Sequence, residues 1–175
     1  KASESWFMKR IQSVWLAVFI ALALAGLLTT HSSALSISTS ALSFPNVFLN
    51  GYDQSILGST SAWQVDASGE AGGWNATISA TDFTNGVGGV IYVSNLEARL
   101  ADSSIVLVSG DPILPTSTQT TFAALSGVGL KFVSAASGTS DGIYDLTPEI
   151  RLTVPAETYI GNYTSTLTIT VSVGP

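Results

Sequence analysis

From residue 35 onward the chain alternates apolar with small polar residues in short bursts. The pattern recurs at residues 62–67 (AWQVDA), 73–80 (GWNATISA), 103–109 (SSIVLVS), 127–133 (GVGLKFV) and 149–154 (EIRLTV). A period of two puts alternate side chains on opposite faces of an extended chain, so each burst predicts a strand. The intervals are rich in Gly, Asn, Asp and Pro: 49–53 (LNGYD), 67–73 (ASGEAGG), 84–89 (TNGVGG), 109–112 (SGDP), 137–142 (SGTSDG) and 154–157 (VPAE). These residues meet turn dihedrals at little cost. No stretch sustains a helical period, and no repeat of solenoid length is present. Short strands between regularly spaced turns predict an all-β fold, a single antiparallel β-sandwich of immunoglobulin-like kind.

The closing run, 162–175 (NYTSTLTITVSVGP), carries the clearest alternation. Tyr163, Ser165, Leu167, Ile169, Val171 and Val173 share one face and predict the core side. Thr164, Thr166, Thr168, Thr170 and Ser172 share the other. At about 3.4 Å per residue, a strand over 163–173 spans roughly 37 Å, enough to run the height of a sandwich. A flat Thr row can present hydroxyls to a repetitive ligand such as ice or a polysaccharide. Thr is also among the best strand formers, so propensity alone accounts for one row in one strand. A binding array needs a matching row on a neighbour, and residues 36–43 (SISTSALS) are the candidate, with Ser36, Ser38 and Ser40 on one face.

The one departure from this pattern is an uninterrupted apolar run at 14–28 (VWLAVFIALALAGLL), preceded by Met8, Lys9 and Arg10. A positive start, an apolar centre and small residues at Ser32 and Ala34 predict an export signal helix cleaved after Ala34. The run is shorter than the roughly 20 residues a spanning helix prefers, which disfavours an uncleaved anchor. Residues 1–34 are therefore read as an N-terminal extension and signal peptide, and 35–175 as the folded domain. A domain of roughly 140 residues buries about two-thirds of the surface its unfolded form exposes, enough for a core with neither metal nor disulfide.

Removing residues 1–34 leaves Arg99, Lys131 and Arg151 against eleven acids, a formal charge of −8. Such a surface repels phosphate backbones, which argues against nucleic acid and anionic lipid head groups as partners. The lone His31 lies in the segment expected to be cleaved, and Cys is absent. Ser-His-Asp triads, Cys-His pairs and ordinary zinc sites are thereby excluded from the domain. A glycosidase carboxylate pair is the remaining enzymatic option, but Asp66, Glu70, Asp82, Asp111, Asp141 and Asp145 fall at turns, where Asp commonly caps the backbone. Residues 66–70 (DASGE) and 140–145 (SDGIYD) offer two or three oxygen ligands each, fewer than the six to eight calcium takes. The expectation is a non-catalytic protein with no metal and no cofactor.

Residues 72–83 (GGWNATISATDF) and 148–175 (PEIRLTVPAETYIGNYTSTLTITVSVGP) resemble the WxL domain of bacterial cell-surface proteins, over most of 35–175. Trp74 matches the Trp of the family's first Trp-x-Leu motif, with Ala76 in place of its Leu. Val154, Pro155, Gly161, Tyr163, Leu167, Thr168 and Pro175 match their counterparts, while Ile169 and Val171 replace the second Trp and Leu. The resemblance implies a secreted, extracellular or wall-associated module. Its partner would be peptidoglycan or another cell-wall polysaccharide, held non-covalently, with other surface proteins as further partners. Ile169 cannot stack on a sugar as a Trp would, yet every replaced position stays apolar, which preserves the strand.

Aromatic residues are the natural contacts for such a ligand. Trp63 and Trp74 lie on alternating strands, where filling the core competes with meeting a ligand. Tyr52 and Tyr92 adjoin Gly-rich turns, where an exposed ring can meet a glycan. These four are the candidate ligand contacts. No sorting motif, second apolar span or basic tail follows Pro175, and no Cys is present to carry a lipid, so covalent anchoring is not expected. The alternative reading is a structural subunit of a surface layer, fibre or adhesive assembly, joined through strand edges.

Overall fold

The computed structural model describes residues 35–175; the expected signal helix and the cleavage point after Ala34 fall outside them. Fourteen strands follow one another: β1 (Ser36–Ser38), β2 (Gln54–Leu57), β3 (Trp63–Asp66), β4 (Trp74–Ala80), β5 (Phe83–Thr84), β6 (Val90–Ile91) and β7 (Leu96–Arg99), then β8 (Ile105–Gly110), β9 (Thr116–Ser117), β10 (Ala123–Ala124), β11 (Leu130–Ala135), β12 (Gly142–Leu146), β13 (Glu149–Val154) and β14 (Leu167–Val173). All pairings are antiparallel. The fold is the all-β sandwich that the alternation predicts.

One layer consists of three long strands, each broken once. β12 pairs β3 and β8, and β13 pairs β2 and β7, so β2–β3, β12–β13 and β7–β8 lie side by side. The central strand breaks at Thr147–Pro148, where Pro cannot donate to a ladder. β1 and β10 extend opposite ends of this layer. The second layer has the order β14-β4-β11-β9, and β5–β6 is a separate hairpin.

Inward-facing residues alternate along the regular strands: Trp74, Ala76, Ile78 and Ala80 on β4, Ile150, Leu152 and Val154 on β13; in β11 a bulge buries the adjacent Phe132 and Val133 together. Trp63 of β3 meets Phe132 of β11 edge to face at 6.0 Å, and Trp74 lies 6.3 Å from Tyr144 of β12. These ring contacts join the two layers. Both indoles are satisfied inside: Trp63 Nε1 donates to Thr60 Oγ1 (3.2 Å) and Trp74 Nε1 to the Ser140 carbonyl (3.1 Å).

The closing strand is shorter at its start than its pattern predicts, beginning at Leu167 rather than Tyr163. Its partner β4 stops at Ala80; beyond it Thr81 N still donates to the Thr166 carbonyl (3.1 Å), and side chains supply the other bonds across the gap. Thr166 N donates to Thr81 Oγ1 (3.0 Å) and Ser165 Oγ to the Thr81 carbonyl (2.6 Å). Pairing resumes as a single bridge between Thr84 and Thr164. The faces are as predicted except at the end of the strand: Leu167, Ile169 and Val171 are half-buried against the core and Thr168, Thr170 and Ser172 are exposed, but Val173, expected on the core side, is exposed where the strand runs out beside Trp74.

The neighbour expected for the Thr row is not the one found. β1 pairs β3 in the other layer, while Thr168, Thr170 and Ser172 stand opposite Ser79, Thr77 and Asn75 of β4. Residues 143–145, read with 140–142 as part of a turn, form the middle of β12. The turn residues Ser140, Asp141 and Gly142 mask a buried alternation of Tyr144 and Leu146.

Candidate functional site

The strands leave two poles. At one, Asp66 pairs Ser36 and Ile143, Gly142 pairs Gly110, and Gly174 N donates to the Gly73 carbonyl (2.8 Å). Both Leu35 and Pro175 therefore lie at this pole. Its turns are held by carboxylates on backbone amides: Asp66 on Ser68, Asp141 on Gly69, and Asp111 on Ile113 and Ser140. Hydrogen bonds from the Ser68 side chain and amide hold the Asp66 carboxyl below its ordinary value, outweighing the small opposing effect of burial. A group stabilised as the anion is not a general acid. Tyr144 is pushed the other way, by burial first and then by the Asp111 charge, and its hydroxyl donates to the Asp111 carbonyl oxygen (2.9 Å). Among the described residues no three of His, Cys, Asp and Glu converge on a metal-sized space.

The opposite pole begins where β13 ends, at Val154 beside Gln54. Three segments converge there: the strap 44–49 (FPNVFL), the β5–β6 hairpin and the turn 155–163. Asp53 Oδ1 accepts from Ala156 N (2.8 Å), tying the loop after the strap to that turn. Tyr163 Oη donates to the Tyr159 carbonyl four residues upstream (3.0 Å), the arrangement of a tyrosine corner. Asn85 sets the hairpin by accepting from Val87 N and Gly89 N, and its amide faces Tyr163 Oη (3.5 Å). A Cβ on Gly161 would stand 3.2 Å from that same amide nitrogen. The Gly161-x-Tyr163 pair thus braces the turn against the hairpin.

Between these segments lies an open cleft of about 540 Å³. Val47, Leu49, Ile56, Phe83, Ile91 and Leu152 contribute aliphatic and aromatic surface to it. Its edge carries large apolar groups in water: Phe48 is 90% and Ile160 91% exposed, with Tyr159 also exposed. A second hollow of about 610 Å³ lies between residues 39–43 and the start of β14, sharing Phe44, Phe83 and Tyr163 with the first. Phe44 and Phe83 meet edge to face at 6.2 Å. Ile169 faces this hollow, at the position where the WxL pattern has its second Trp.

The four candidate contacts divide evenly. Trp63 and Trp74 are fully buried, which corrects their assignment as ligand contacts: each fills the interface between layers with its indole N–H already paired. Tyr52 and Tyr92 are exposed, and both belong to the cleft pole. Tyr52 adjoins Asp53, and Tyr92 follows the cleft residue Ile91. The strap residues Phe44, Val47 and Phe48, with Tyr159 and Ile160, went unrecognised in the sequence. Their signal was there in SFPNVFLN and ETYIGNY, two aromatic-bearing stretches without strand alternation.

An all-β sandwich domain with an aromatic-rimmed cleft at one pole is the class that fold and site define. No family model matches the chain, and no curated protein matches it by sequence. Among solved structures it is similar to a family 123 glycoside hydrolase from Clostridium perfringens, at 16% identity and a TM-score of 0.36. That likeness covers 70% of this chain and 19% of the other.

Proposed function

We propose that the domain is a non-catalytic binding module of WxL type that holds a bacterial envelope, gripping wall peptidoglycan or a surface glycan at the cleft pole. The observation that carries this reading is the concentration of exposed rings, Phe48, Tyr52, Tyr92 and Tyr159, at the pole opposite both Leu35 and Pro175. Large apolar groups clustered in water mark interaction surfaces, and flat rings pack against the C–H faces of sugars. The domain, residues 35–175, is expected to co-sediment with peptidoglycan sacculi. A Phe48→Ala/Tyr52→Ala/Tyr159→Ala variant should lose at least tenfold in affinity at unchanged thermal stability. Wild-type protein left wholly in the supernatant would overturn the reading.

A second reading, assembly into a layer or fibre, is favoured by β8. Among the described residues no strand pairs its outer edge, and it carries no charge while exposing Val106 and Val108. Such an edge is a template for strand addition. Size-exclusion chromatography at rising concentration should then show growing oligomers that Val108→Lys abolishes. A monomer persisting at every concentration would remove this reading.

A further inference from the structure

We infer that the cleft takes a single acyl chain, that of an amphiphile whose head group carries no negative charge. The inference shares with the proposed function only the premise that the cleft pole is a binding surface; it assigns the interior, where the wall reading uses the rim.

The interior is chemically distinct from the rim. No charged side chain lines it, although the domain carries eleven acids and three bases. Of its polar side chains, Tyr163 Oη is already spent on the Tyr159 carbonyl, which leaves Asn46, Thr158, Asn162 and the Tyr159 hydroxyl, the last on an exposed ring at the edge. A sugar ring pushed inward would bring hydroxyls, and an extended peptide would bring amides, that these four side chains, one of them out at the edge, cannot all satisfy. Burying such groups unpaired is costly. A hydrocarbon chain brings none. The volume, about 540 Å³, falls within the ordinary range for small-ligand sites. Phe48 and Ile160, almost wholly in water at the mouth, gain cover when a chain passes between them.

Charge at the mouth selects the head group. Asp53, bonded to Ala156 N, and Glu157 put negative charge on the turn that borders the cleft, outside its lining. The basic residues of the domain lie elsewhere. Arg99 and Arg151 pair with Glu149 and Glu97 and stack on Phe122, and Lys131 stands opposite Thr77 in the second layer. A carboxylate or phosphate head group would meet like charge with no cation to offset it.

Isothermal titration with dodecyl maltoside below its micelle concentration tests the inference. Saturable one-to-one binding is expected. Decyl maltoside should bind roughly tenfold more weakly, the effect of two methylenes leaving an apolar site. Dodecanoate should bind at least tenfold more weakly than dodecyl maltoside, and maltose alone should give no saturable signal. A Phe48→Ser/Ile160→Ser variant, altered only at exposed positions, should keep its melting temperature and lose at least tenfold in affinity. No saturation, equal affinity for dodecanoate, binding of maltose alone, or an unaffected variant would each overturn the inference. Loss of sacculus binding with dodecyl maltoside binding retained would remove the wall reading and leave this one standing.

Discussion

Trp74→Ala is expected to destabilise the domain by about 3–5 kcal/mol, the usual cost of deleting a buried Trp ring. Trp74 is wholly buried, packs beside Tyr144 across the layers, and stands between Ala135 and Val173 in its own layer. Truncation opens a cavity that these strand-fixed neighbours cannot collapse into, and it leaves the Ser140 carbonyl without its indole donor. A domain of this size has roughly 5–15 kcal/mol in total, so the variant should unfold at a much lower urea concentration. Tyr52→Ala, at an exposed ring, should stay within about 0.5 kcal/mol of wild type. A Trp74→Ala protein of wild-type stability that no longer bound sacculi would restore Trp74 as a contact and contradict the burial.

The second large effect belongs to the residue before it. Gly73 has φ of +77°, and a Cβ there would lie 2.6 Å from the Ala135 carbonyl oxygen and 2.8 Å from Ser137 N. Both obstacles are backbone, and Gly73 is itself fixed from the other side by Gly174 N. Gly51 supplies the control. Its φ is +79°, yet a Cβ would meet nothing within 4 Å. Gly51→Ala should cost about 1–2 kcal/mol, the left-handed conformation alone. Gly73→Ala should cost at least about 2 kcal/mol more, because it adds the collision. Equal midpoints in denaturant for the two variants would show that the β4 entry relaxes freely, against the close approach seen here.

Period-two alternation was a sufficient guide to β3, β4, β8, β13 and β14, because each buries one face and leaves the other wetter; it located β11 but not the bulge that buries Phe132 and Val133 together. It failed at β12, where Gly142 and Asp145 look like turn chemistry. Gly142 is there because the β8 backbone passes too close for a side chain, and Asp145 because its outward position meets Gln64 Nε2 (2.9 Å). Both reasons are contacts with residues distant in the chain. The start of β14 failed similarly, since a strand ends where its partner ends, and Thr81–Asp82 is nowhere near it in sequence.

The candidate site was legible only in fragments. Gly161 and Tyr163, singled out by resemblance, lie at the cleft, where the pair braces a turn against the Asn85 hairpin. The rings beside Gly-rich turns, Tyr52 and Tyr92, are exposed as expected of turn residues, but neither lines the cleft itself. Nothing in the spacing of Trp63 and Trp74 separated core from contact, because both uses want an aromatic residue on an alternating strand.

Fold class, the face buried by most of the regular strands and the acidity of the surface are properties of local order and composition, and the sequence by itself determined them. Only the tertiary structure decided which aromatics are interior and which rim a cleft. A cleft is made by segments far apart in the chain, here the strap 44–49, the β5–β6 hairpin and the turn 155–163. Local pattern records which residues share a face of a strand, but not which distant faces are brought together around a space.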